Sequence, residues 1–112
     1  MSANEYIDLE SALGRVWGDK DTLKLMLNLL LEGDEFDQLK NALEQQDYKT
    51  AEAYSHAIKG MAGNLSVDRL FEISTQLNDE LKKGPPQAQT VQDYYDVADK
   101  TIEAVKETLE TL

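Results

Sequence analysis

The chain contains one histidine, His56, set in Tyr54-Ser55-His56-Ala57-Ile58-Lys59-Gly60-Met61-Ala62-Gly63-Asn64. Lys59, Gly60 and Gly63 follow at three-, four- and seven-residue spacing, which brings them to the histidine's side of a helix. An imidazole can ligate a metal, serve as a base, or act as a nucleophile itself. A zinc site needs three or four ligands, and only Glu52, at i−4, could join His56, so no metal is expected. Catalysis with histidine as base needs a Ser or Cys in reach. Ser55 projects roughly 100° away, and the chain has no cysteine. No glycine-rich phosphate loop is present, so ATP binding by this chain alone is not expected. What remains is an imidazole nitrogen that takes a phosphoryl group and gives it up again. Lys59 could reach an anion on that ring. The plain alternative for a lone histidine is a solvated residue without a role, and for Lys59 a solvated cation or an ion pair with Glu52.

The element that must hold these groups is a helix from about residue 48 to 64, opened by Asp47 as N-cap. With His56 at zero and 100° per residue, Tyr54, Ile58, Met61 and Leu65 fall within roughly 40° of the opposite side. Ala51 and Ala62 flank that apolar stripe, so His56 faces solvent. Its neighbours there are Lys49, Glu52, Ala53, Lys59, Gly60 and Gly63, and Ala53 and the two glycines are nearly bare. Each glycine costs about 1 kcal/mol against alanine inside a helix. On a solvent face no core packing is expected to offset that. Small residues there would let another protein's backbone approach the imidazole.

The rest of the chain reads as helical, because alternating runs are absent and Leu, Ala, Glu, Lys and Gln dominate. A short amphipathic helix spans about Glu5 to Val16. Asp19 caps a second, Lys20 to Glu32, with Leu23, Met26, Leu27, Leu30 and Leu31 as its buried stripe, widened by Leu25 and Leu29. Gly33-Asp34 interrupts or bends it, and Asp34 could cap a continuation to about Gln46. After the histidine helix, Ser66 can cap a helix that ends at Lys82-Lys83 and Gly84-Pro85-Pro86. A last helix covers about Thr90 to Leu109. Short connections make neighbours antiparallel. The expected fold is all-α: an up-down-up-down four-helix bundle with a short additional N-terminal helix, one domain over residues 1–112.

Asp plus Glu number 22 against 11 Lys plus Arg, a net charge of −11. That excludes the basic face a nucleic-acid binder needs and disfavours an anionic membrane. No apolar run approaches the roughly 20 residues of a membrane span, and Met1 to Glu5 lacks the features of a signal peptide. A soluble, cytoplasmic, monomeric protein is expected.

His56-Ala57-Ile58-Lys59-Gly60 matches H-x-x-K-G, and with the helix count and length the whole chain resembles the histidine-containing phosphotransfer (HPt) domains. The resemblance implies phosphorylation of His56 on Nε2, charge compensation by Lys59, and clearance for a partner at Gly60, with Gly63 and Ala53 in support. It implies response-regulator receiver domains and a sensor histidine kinase as partners, with Mg²⁺ supplied by the receiver and no cofactor or kinase activity of its own. Family members often carry a glutamine 22 positions after the histidine. Here that position is Asn78, read either as a water-bridged neighbour of the ring or as an ordinary surface residue. Receiver docking would use apolar surface from the N-terminal segment: Tyr6, Ile7, Leu13 and Trp17. Core packing suits Leu13 and Trp17 better, and exposure suits Tyr6 and Ile7. Two alternatives stay open: the phospho-accepting domain of a chemotaxis-type or hybrid histidine kinase, and a helical adaptor that never carries phosphate.

Overall fold

Three aspartates set three of the helix starts. In the computed structural model, which describes residues 5–112, Asp8 accepts from the Ser11 amide at 3.0 Å and opens α1, Leu9–Arg15. Asp19 accepts from the Asp21 amide and the Thr22 hydroxyl, at 3.1 and 2.7 Å, and opens α2, Lys20–Glu32. The Thr22 hydroxyl bond, the largest influence, holds the Asp19 carboxyl below its ordinary value. Asp47 accepts from the Thr50 amide at 3.3 Å and opens α4, Tyr48–Asn64. The remaining helices are α3, Glu35–Glu44, α5, Asp68–Lys83, and α6, Ala88–Thr111. Asp34 stands at the N-cap of α3 but its side chain makes no capping bond.

Helix ends carry an unusual feature. α1, α3 and α4 all close with paired bonds to the third- and second-last carbonyls, the Schellman geometry. The pairs are Gly18 to Leu13 with Trp17 to Gly14, Asp47 to Ala42 with Gln46 to Leu43, and Val67 to Ala62 with Ser66 to Gly63. The left-handed position in each is not glycine: Trp17, Gln46 and Ser66 have φ of +53°, +59° and +56°. A side chain there costs about 1–2 kcal/mol.

This corrects two expectations. Ser66 does not cap α5: Val67 holds the N-cap position without a side-chain bond, and Ser66, 2% exposed, turns inward to Ser11 and Arg15. Trp17 is not core but 94% exposed, because the left-handed turn, rather than the helical period, sets its direction. The N-terminal segment reverses likewise. The helix starts at Leu9 under the Asp8 cap, so Tyr6 and Ile7 lie outside it and drive inward, leaving Ile7 1% and Tyr6 5% exposed. Arg69 lies 5.2 Å over the Tyr6 ring and pairs with Glu5 at 3.1 Å.

Consecutive helices from α3 to α6 pack pairwise, and α2 packs on α6 and α1. At 1.5 Å per residue the 24 residues of α6 run about 36 Å, nearly the 40 Å long axis of the molecule. The described residues are all helix and connection, with no strand. No described helix is long and apolar enough to cross a membrane. The core takes Leu23, Leu27 and Leu30 from α2, Leu39 from α3, Ile58 from α4, Leu70 and Leu77 from α5, and Tyr94 and Val105 from α6. Leu25 and Leu29, expected to widen the α2 stripe, are instead 60% and 58% exposed. The helix surface carries more leucine than one face can bury.

Glu80 fastens the link between α5 and α6. It accepts from the Gln87 amide at 2.9 Å, the Thr90 hydroxyl at 2.8 Å and the Gln76 amide at 3.1 Å. Burial pushes its carboxyl up, but these bonds and the Lys83 charge outweigh it and hold the group below its ordinary value of 4.5. The folded form therefore favours the charged carboxylate, and that stability is present above 4.5 and lost as pH falls through the lower folded value. Glu80→Gln should cost about 1 kcal/mol at pH 7 in urea denaturation. The gap to wild type should shrink as the titration is repeated below pH 4.5.

Candidate functional site

α4 has a small-residue face and a bare face. Ala51, Ser55, Ile58 and Ala62 are buried. Tyr54 and Met61, expected at the centre of the stripe, are only half-buried. The buried face is thus turned toward Ser55 and Ala62, where short side chains let the flanking helices α3 and α5 approach. His56 lies well away from that face and is exposed, as are Ala53 and Gly60, while Lys59 and Gly63 are half-buried.

His56, Lys59, Gly60, Gly63 and Asn64 line one open depression together with Arg15 from α1 and Phe71 from α5. Ala53 is outside its lining. The two glycines do different things. A Cβ on Gly60 would meet nothing within 4 Å, so no part of this chain requires glycine there. A Cβ on Gly63 would lie 3.3 Å from two atoms of the Phe71 ring. Gly63 therefore seats Phe71, a packing return that the sequence reading denied it.

Asn78 is not a surface residue. It is fully buried and its amide donates to the Glu52 carbonyl at 3.0 Å and to Ser55 Oγ at 2.8 Å. Ser55 Oγ donates in turn to the same carbonyl at 3.0 Å. In an α-helix that carbonyl also accepts from the His56 amide. Asn78 thus holds the turn that carries His56.

Three of the four apolar candidates sort in the opposite sense to expectation, while Leu13 packs against the core as expected. Tyr6 and Ile7 are buried, Leu13 is half-buried and Trp17 is exposed. A second hollow lies on the seam of α2 and α4, lined by Met26, Leu29, Leu30, Met61, Asn64 and Leu65. Asn64 lines both hollows, so the second adjoins the depression that holds the histidine. Arg15, Phe71 and Asn64 are the residues that sequence reasoning missed. Arg15 and Phe71 come from other helices, and no spacing within α4 could reveal them. Among the described residues no group of three or more His, Cys, Asp or Glu side chains could hold a metal ion.

A family model described as Hpt domain matches residues 26–112. The chain belongs to the Hpt domain family, whose members are phosphocarrier modules of phosphorelay signalling that interact with receiver domains and kinases and are not themselves kinases. No curated protein and no solved structure gives a significant match.

Gly60→Ala should stabilise the protein by about 0.4–1 kcal/mol, since the added methyl enters open space. Gly63→Ala should gain less or lose, because Phe71 must yield; urea denaturation of both variants checks the contrast. Asn78→Ala should cost about 1–3 kcal/mol by the same measurement, the loss expected when buried hydrogen-bonding groups are left without partners.

Proposed function

We propose that this protein is a phosphorelay intermediate in which His56 accepts a phosphoryl group from the phospho-aspartate of a receiver domain, or from a kinase, and passes it to the aspartate of another receiver. The observation that carries this is the exposed imidazole beside Lys59 and side-chain-free Gly60, in one open depression within an Hpt chain. The imidazole lone pair attacks phosphorus, the bond from phosphorus to the donor carboxylate oxygen breaks, and the carboxylate leaves with the electron pair. The proton carried by the ring is then released to solvent. Onward transfer reverses these steps. An acyl phosphate and a phosphoimidazole are both reactive, so the group can move either way.

In this reading Lys59 offsets the phosphoryl charge and Gly60 leaves room for the incoming receiver. An open depression suits a carrier, because the receiver brings the rest of the reacting groups, its Mg²⁺ among them. The hollow on α2 and α4, with exposed Leu25, Leu29 and Trp17, offers apolar contact for that receiver. The frame is an antiparallel up-down-up-down bundle of four legs. The first leg is α2 and α3 broken at Gly33-Asp34, and α1 is the short extra helix. A net charge of −11 fits a monomer in the cytoplasm that meets proteins, not nucleic acid or anionic membrane.

Incubation with a phosphorylated receiver and Mg²⁺ should label the wild-type chain with an acid-labile, base-stable phosphate. His56→Gln should take up none. Equal labelling of the two chains would refute the role of His56. A receiver that binds both alike and labels neither would point to an adaptor.

A further inference from the structure

Arg15 is one of two arginines in a strongly acidic chain. It ends α1, outside the stretch that the Hpt model matches. Yet it lines the same depression as His56 and Lys59. Its Nε donates to Ser66 Oγ at 3.1 Å. Ser66 is held firmly: its hydroxyl bonds Ser11 Oγ at 2.9 Å, its carbonyl accepts from the Asp8 amide at 3.0 Å, and its backbone sits in the left-handed turn that closes the histidine helix. The guanidinium is thereby aimed through Nε alone, which leaves the donors on its two terminal nitrogens for another acceptor. The ion pairs among the described residues are Arg69 with Glu5 and Lys100 with Asp96. Arg15 is in neither. With 22 Asp and Glu side chains in the chain, this arginine is held by a neutral hydroxyl and not by a carboxylate.

We propose that Arg15 is a second phosphoryl-binding cation, reaching the group on His56 from α1 while Lys59 reaches it from α4, with Ser66 as its positioning residue. This rests on His56 as the phosphate carrier. A planar guanidinium can give two parallel bonds to phosphoryl oxygens, which an ammonium cannot. Arg15 acts on the phosphoryl group itself, so its effect needs no partner.

Potassium phosphoramidate provides the test. The imidazole attacks its phosphorus, the phosphorus–nitrogen bond breaks, and ammonia leaves, loading the single histidine chemically. The pH titration of the phosphohistidine signal by ³¹P NMR then reports the charge around it. A nearby cation favours the dianion and lowers the pH of its last ionisation. Wild type should titrate roughly half a pH unit below Arg15→Gln, the effect of one charge about 6 Å away through water. Arg15→Lys should keep part of that shift, and Ser66→Ala should fall between wild type and Arg15→Gln. Circular-dichroism melting of each variant shows whether the fold is intact, and Arg15→Lys carries the test if Arg15→Gln unfolds. Titration of the variants at the wild-type pH would overturn the proposal. A wild-type chain that no phosphorylated receiver labels would instead overturn the carrier role and the proposal with it.

Discussion

Two hydrogen bonds from the buried Asn78 amide, to the Glu52 carbonyl at 3.0 Å and to Ser55 Oγ at 2.8 Å, lock α4 against α5. They fix the rotation of α4 about its own axis, and everything at the site depends on that angle. A polar group this deep must keep its partners, since losing them costs more than an exposed bond would. A rolled α4 would break both bonds and carry Ser55 and Ala62 out of the contact with their neighbours. His56 would then move toward a flanking helix. The imidazole is reachable because the turn that carries it is pinned.

A second constraint ties the other end of α4 to α1. Ser66 adopts a left-handed conformation usually left to glycine, and glycine there would lose the hydroxyl that joins Ser11 and Arg15. The strain of about 1–2 kcal/mol is thus accepted at the one turn that aligns α1 beside the histidine. The same closure at α1 turns Trp17 outward and leaves it 94% exposed. Helix ends, more than helix faces, decide what surrounds His56.

Much of this architecture is legible in the sequence. The histidine helix has the bounds that its Asp47 cap and periodicity imply, and His56 is exposed as the 100° layout requires. The H-x-x-K-G spacing leads to the family that the comparison finds. Tyr6, Ile7 and Trp17 go the other way: the docking role implied by the family resemblance suits exposure of Tyr6 and Ile7, and Trp17 reads as core at the end of one continuous N-terminal helix. The Asp8 cap and the left-handed turn at Trp17 end that helix, and beyond its ends side-chain direction no longer follows a period. Asn78 escapes for another reason. Its distance from His56 along the chain says nothing about depth, and its buried amide bonds the Glu52 carbonyl and Ser55 in the turn that carries the histidine.

What the sequence by itself determined is local: six stretches of helix-forming residues, the aspartate caps, and a histidine, lysine and glycine on one face of one helix. These follow from dihedral preferences, capping chemistry and the period of 3.6 residues, all of which act within a turn or two. Only the tertiary structure decided that Gly63 seats Phe71, that Asn78 clamps the helix under His56, and that Arg15 comes from α1 to share the depression with Lys59. Those pairings join residues 8 to 44 positions apart. They exist because helices pack at angles and depths set by whole side-chain surfaces, which no single spacing encodes.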